Sequence, residues 1–142
     1  MKILVIHGPN LNLLGEREPG VYGSETFEKL NSDIMAHAEE LGVECEIYQS
    51  NHEGAIIDRL HEARMDCAGV VLNAGAYTHY SYAIRDALVS ITVPKVEIHI
   101  SDITQREEFR KVSVTAPVCD KQIYGQGLDG YLQAIDFCLN GK

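Results

Sequence analysis

Gly69-Val70-Val71-Leu72-Asn73 (GVVLN) is apolar at successive positions, so a strand through it has two hydrophobic faces. Such a strand belongs in a parallel sheet covered by helices above and below. The flanking sequence repeats that arrangement. Residues 2–7 (KILVIH) are a β-branched and leucine-rich run closed by Gly8-Pro9, a strand followed by a breaker. Phe27, Leu30, Ile34, Ala38 and Leu41 then recur at helical spacing, with Ser24 or Thr26 as N-cap and Gly42 as the stop. Residues 43–48 read as the second strand, and Ile56, Ile57, Leu60 and Ala63 mark the next helix. Beyond GVVLN and the loop at residues 75–79, a short helix is expected to turn Ala83, Ile84, Ala87 and Leu88 inward. Residues 94–99 supply a fourth strand, residues 107–111 a short helix, and residues 118–123 a weak fifth strand. Leu128, Tyr131, Leu132, Ile135 and Leu139 close the chain as an amphipathic helix.

No linker or charge block interrupts this alternation, and 142 residues suit a single domain spanning 1–142. Right-handed crossovers bury both faces of the sheet, which predicts an α/β three-layer sandwich. The expected form is flavodoxin-like, an αβα sandwich on a five-stranded parallel sheet of order 2-1-3-4-5. In that order the chain departs in opposite directions from the first and third strands. Ligands belong in the crevice outside their carboxyl ends.

The formal net charge is −9, with 21 acidic against 12 basic side chains, which disfavours nucleic acid and anionic membrane as partners. Arg17, Arg85, Arg106 and Arg110 nevertheless sit in or beside loops, where a local cationic pocket can form within an acidic shell. Cys45, Cys67, Cys119 and Cys138 make no CxxC pair, which argues for free thiols, against structural zinc, and for a reducing cytosol. The opening MKILVIHG is too short for a signal core or membrane span, so a cytoplasmic location is expected.

Reactive side chains crowd three loops at the carboxyl ends of the strands. The first loop carries Asn10, Asn12, Arg17 and Tyr22; the third carries Asn73 and His79, with Arg85 and Asp86 behind them. The fourth carries Glu97, His99, Ser101 and Asp102, followed by Arg106 and Arg110. The run from Gly8 to Gly15 lacks GxGxxG and GxxxxGK[ST], and Pro9 removes an N–H that an anion cradle would use. Residues 15–23 read instead as a lid carrying Arg17 and Tyr22. No HExxH or cysteine pairing supports a metal site, and Ser101 lacks a GxSxG setting. These features describe an enzyme for a small anion. A small-anion-binding module and a flavin electron carrier are the alternatives from other classes.

The loops resemble those of the type II 3-dehydroquinate dehydratases almost end to end. The matching stretches are IHGPNLNLLGEREPGVYG (6–23), SNHEGAIIDRLHEA (50–63), NAGAYTHYSYAIRDAL (73–88), VEIHISDITQREEFR (96–110) and GQGLDGY (125–131). The resemblance implies a lyase converting 3-dehydroquinate to 3-dehydroshikimate, in aromatic amino-acid biosynthesis (the shikimate pathway) or quinate metabolism. It also implies a flavodoxin-like fold, no metal or organic cofactor, and a homo-dodecamer built from trimers. A Schiff-base lysine is not expected at Lys2, Lys29, Lys95, Lys111, Lys121 or Lys142. Carried over by motif, Tyr22 is the base, Arg17 its neighbour on the lid, and His99 the general acid. Asn10 holds the histidine and the transition-state geometry, and Asn73 with the Ile100 and Ser101 amides cradles the substrate carboxylate. His79 and Arg110 are implied hydroxyl-binding groups, and Asp86 reaches in from a neighbouring subunit.

These residue types suit the chemistry. A proton beside a ketone is weakly acidic and hydroxide leaves poorly, so the reaction needs a base, charge stabilisation and an acid. A phenol becomes a useful base when a guanidinium stands beside it, and arginine cannot lose its charge. The sequence departs from the family pattern at Ala74, Asp102, Thr104, Lys111-Val112 and Cys119-Asp120-Lys121. Asp102 is expected to repel an anionic substrate, so that Asp102→Asn would lower the Michaelis constant at low salt.

Overall fold

The computed structural model describes residues 1–141, so the expectation for Lys142 lies outside the described residues. Five parallel strands, β1 (Lys2–His7), β2 (Glu44–Gln49), β3 (Gly69–Asn73), β4 (Lys95–Ile98) and β5 (Lys121–Ile123), form one sheet in the order β2-β1-β3-β4-β5. Its helices are α1 (Pro19–Tyr22), α2 (Phe27–Leu41), α3 (Glu53–Asp66), α4 (Tyr82–Val89) and α5 (Asp129–Asn140).

Alternation along the strands divides the core. Ile3 and Val5 join Val71, Val96 and Ile98 beneath Leu30 and Ile34 of α2 and Tyr131, Ala134 and Ile135 of α5. Leu4 and Ile6 join Val70 and Leu72 against Ile56 and Leu60 of α3 and Ile84 and Leu88 of α4. Successive strand residues point to opposite faces, so a strand buried on both sides must be apolar throughout, as GVVLN is. Removing one of these fully buried Leu or Ile side chains to Ala would cost about 2–5 kcal/mol.

Local signals set the element ends. Thr26 accepts a hydrogen bond from the Lys29 amide and starts α2, while Gly42 stops it at φ 72°. Ser81 caps α4 through the Ile84 amide. The cap fixes the phase of that helix, which buries Ile84, Ala87 and Leu88 but leaves Ala83 exposed, contrary to the sequence expectation. The fifth strand is also shorter than expected, because residues Ala116–Val118 form a 3-10 turn. The Asp120 carboxylate accepts from the Lys95 amide at 2.9 Å and secures the entry to β4.

The register brings His7, Gln49 and Asn73 level at the ends of β1, β2 and β3. Gly8 lets the chains leaving β1 and β3 touch, its amide donating to the Asn73 carbonyl at 2.7 Å. An added Cβ there would stand 2.6 Å from the Ala74 carbonyl carbon. Close approach, not turn geometry, requires this glycine.

Candidate active site

Beyond Gly8 the first loop folds over the crevice. Asn10 adopts a left-handed conformation at φ 71°, and a 3-10 turn (Leu11–Leu13) follows. Leu11 and Leu14 are buried in the α2/α5 side of the core and anchor the loop. The segment 15–23, expected from the sequence to be a lid, therefore starts from a fixed point. It contains Glu18 at φ 42° and then α1, whose first residue is Pro19. The left-handed Glu18 turns the chain and the proline's fixed φ begins the helix, which delivers Tyr22 to the crevice.

Tyr22 meets two arginines. Arg106 Nη1 donates to its hydroxyl at 2.9 Å and lies 3.4 Å from Ser101 Oγ. The guanidinium carbons of Arg17 and Arg106 stand 5.1 and 5.2 Å from the ring centroid. Arg17 is paired with Glu18 at 2.8 Å, and Arg110 with Glu107 at 2.9 Å. Arg106 forms no ion pair among the described residues. Its charge is directed at Tyr22 and the cavity.

That cavity, of about 110 Å³, is lined by Asn10, Arg17, Tyr22, Asn73, His99, Ile100, Ser101, Arg106 and Arg110, with the adjoining loop backbone. Three guanidinium groups on one small hollow make a site for an anion, despite the acidic protein around it.

β4 supplies the histidine and its support. His99 is 5% exposed, and its Nε2 lies 2.8 Å from Oε2 of the wholly buried Glu97. Glu97 also accepts from Gln122 and Ser113, each at 2.8 Å, and from Thr115. Burial alone would push the Glu97 carboxyl up, but the hydrogen bonds from His99, Thr115 and Gln122 hold it below its ordinary value. An ionised Glu97 only accepts, so Nε2 of His99 carries hydrogen and Nδ1 is left free to serve the cavity. His79 stacks 6.3 Å from His99, and its Nδ1 donates to the Val112 carbonyl at 2.7 Å. Burial lowers its pKa, the hydrogen bond to Val112 opposes that fall, and the nearby Arg110 charge adds to it.

Just past β4 the carbonyls of Ile100 and Ser101 accept from Gly127 and Gly125 at 3.1 and 3.0 Å. Their own amides donate to no group among the described residues. These two consecutive uncommitted N–H groups belong to residues that line the cavity with Asn73, where donors can serve an anion.

Eight of the ten residues singled out from the sequence line this cavity: Asn10, Arg17, Tyr22, Asn73, His99, Ile100, Ser101 and Arg110. His79 lies one ring away. Asp86 is exposed on α4 and does not line the cavity. No hydrogen bond joins Asn10 to His99 among the described residues; the backbone N–H of Asn10 donates to Asn51 Oδ1 at 3.0 Å. Asp102 does not line the cavity either. Its carboxylate accepts from the Thr104 amide at 3.0 Å and hydroxyl at 2.5 Å, capping a 3-10 turn (Ile103–Gln105), and is so directed at its own segment.

Sequence reasoning missed Arg106 as the partner of the Tyr22 hydroxyl, assigning that place to Arg17. It also left Glu97 among the loop polars. A glutamate inside an otherwise apolar strand, two residues from a histidine, was the available signal for the second.

A doubly wound α/β domain with a cationic cavity at its switch point, holding a tyrosine, a histidine and an anion cradle, defines a class of small-acid enzyme. Comparison with known families makes this particular. The family model described as dehydroquinase class II matches residues 1–139, and the chain belongs to that family. A 3-dehydroquinate dehydratase from Lachnospira eligens is 58% identical over 138 residues, covering 96% of this chain and 94% of that protein. The crystal structure of a type II dehydroquinase from Butyrivibrio crossotus superposes with a TM-score of 0.97 at 57% identity, covering 99% of this chain and 98% of that one. The corresponding structure from Propionibacterium acnes gives 0.93 at 42% identity, covering 96% and 94%.

Proposed function

We propose that this chain dehydrates 3-dehydroquinate to 3-dehydroshikimate through an enolate. The observation that carries the reading is the Tyr22 hydroxyl, held 2.9 Å from Arg106 in a cavity also lined by His99. Tyr22 removes the proton beside the ketone. Arg106 and Arg17 stabilise the negative charge its oxygen carries, one by a direct hydrogen bond and one over the ring. His99, carrying a proton on Nδ1 as well as on Nε2, protonates the departing hydroxyl from Nδ1 and is left as the Nε2–H tautomer held by Glu97. Glu97 fixes its tautomer and ring orientation, as the third member of a base–orienter set does.

The substrate carboxylate occupies the donors of Asn73, Ile100 and Ser101. Arg110 and His79 bind ring hydroxyls, and Asn10 helps to order the group that receives charge on the enolate oxygen. Asp86 completes the site from a neighbouring copy in a dodecamer of trimers, which accords with its exposure on α4. The chain acts without a resident metal or organic cofactor, in the cytoplasm. Among the described residues no helix is long and apolar enough to cross a membrane.

The product is a conjugated enone, so ultraviolet absorbance follows the reaction directly. Purified protein given 3-dehydroquinate, with metals and cofactors omitted, should produce a rise that scales with enzyme concentration. No rise at any substrate concentration would refute the proposal.

A further inference from the structure

Asn73 is tied to a buried chain of hydrogen bonds that runs away from the cavity. Its Nδ2 lies 2.9 Å from the hydroxyl of Tyr131, a wholly buried residue of α5. That hydroxyl lies 3.2 Å from Nδ1 of the fully buried His7, whose Nε2 is 2.9 Å from Oδ1 of Asn31 on α2. The other end of the Asn73 side chain is held too, Oδ1 accepting from the Gly75 amide at 3.1 Å.

The order of donors is fixed along the chain. Asn31 Oδ1 only accepts, so His7 Nε2 carries the hydrogen and Nδ1 is bare. Burial lowers the His7 pKa to about 4, which keeps the ring neutral and Nδ1 an acceptor. The Tyr131 O–H must then donate to His7 and can only accept from Asn73. Were Asn73 to flip, its oxygen would face a hydroxyl already committed to His7, and its NH2 would face the Gly75 N–H. The second Nδ2 hydrogen has no acceptor among the described residues, and Asn73 lines the cavity.

We infer that Tyr131, His7 and Asn31 are positioning residues that lock Asn73 as a donor toward the cavity, making its subsite selective for an anionic acceptor group. The inference rests on the reading of Asn73 as a carboxylate ligand. It explains why polar groups from β1 and α5 are buried, and one from α2 half-buried, on the otherwise apolar side of the sheet.

The test is steady-state kinetics with 3-dehydroquinate on Tyr131→Phe, Asn31→Leu, Asn73→Ala and the Asn73→Ala/Tyr131→Phe pair, with melting temperatures alongside. Tyr131→Phe should raise KM about 5- to 10-fold with kcat within about twofold, the effect of one lost buried hydrogen bond. Asn31→Leu, at the half-buried end of the relay, should raise it about 2- to 3-fold. In the Asn73→Ala background Tyr131→Phe should add nothing, since a residue acting only through Asn73 is fully coupled to it. A raised KM in Asn73→Ala beside unchanged values in Tyr131→Phe and Asn31→Leu would overturn the relay and leave the Asn73 reading standing. An undiminished further rise in the double variant would also overturn it. Unchanged KM in Asn73→Ala would overturn both. Should Tyr131→Phe fail to fold, Asn31→Leu in the two backgrounds decides.

Discussion

Arg106 shows how one side chain outside the most obvious motif can organise a site. The segment ITQREEFR crowds two arginines and two glutamates into the five residues 106–110, and sequence spacing does not determine which of them turns inward. The fold does: 3-10 turns at Ile103–Gln105 and Glu108–Lys111 bracket Arg106 and aim it at Tyr22. Arg106→Gln should lower kcat about 10²- to 10³-fold while changing KM less, as the loss of a donor to developing charge does. Steady-state rates check this, and near-normal kcat would refute the role. His7 gives a prediction about stability. Its folded pKa of about 4 lies below the ordinary 6.5, so between these values the unfolded chain binds a proton that the folded chain does not. This contribution to stability is complete above about pH 6.5, declines as pH falls through the window and is gone below about pH 4, a loss of about 3 kcal/mol. Denaturant unfolding across that range should show the slope, and His7→Gln should flatten it.

At the scale of elements, strands and long helices were legible because burial on two faces or one stripe leaves a period in the sequence. β1 and β3 have the bounds expected, and α2 begins and ends at its expected caps. What failed depended on local hydrogen bonding. Ser81 set the phase of α4 and exposed Ala83, and Asp102 turned back to cap its own segment. Asp102→Asn should therefore leave KM within about twofold at low salt, because an asparagine caps as well as an aspartate; a clear fall in KM would restore the repulsion first expected. Where β1 and β3 end, Gly8 sits against backbone that has no room to yield. Gly8→Ala should destabilise the protein by about 1–3 kcal/mol, seen as a lower melting temperature, because the two chains must separate. An unchanged melting temperature would show that they part freely.

The whole molecule brings these parts together through topology. Three crevice-lining segments far apart in sequence converge because β1, β3 and β4 are neighbours and parallel, with every carboxyl end on one side. The layer architecture followed from the hydrophobic pattern, and the strand order from the expected doubly wound form. Neither identified a substrate, which required the loop resemblance and then the family match. In the proposed reaction the Tyr22 hydroxyl, set by Arg106 and Arg17, is the base. Tyr22→Phe removes that oxygen alone and keeps the ring beside the two guanidinium groups. Turnover measured by enone absorbance, beside calorimetric binding of 3-dehydroquinate, should show near-complete loss of kcat with binding still measurable. Wild-type-like turnover in that variant would contradict the account.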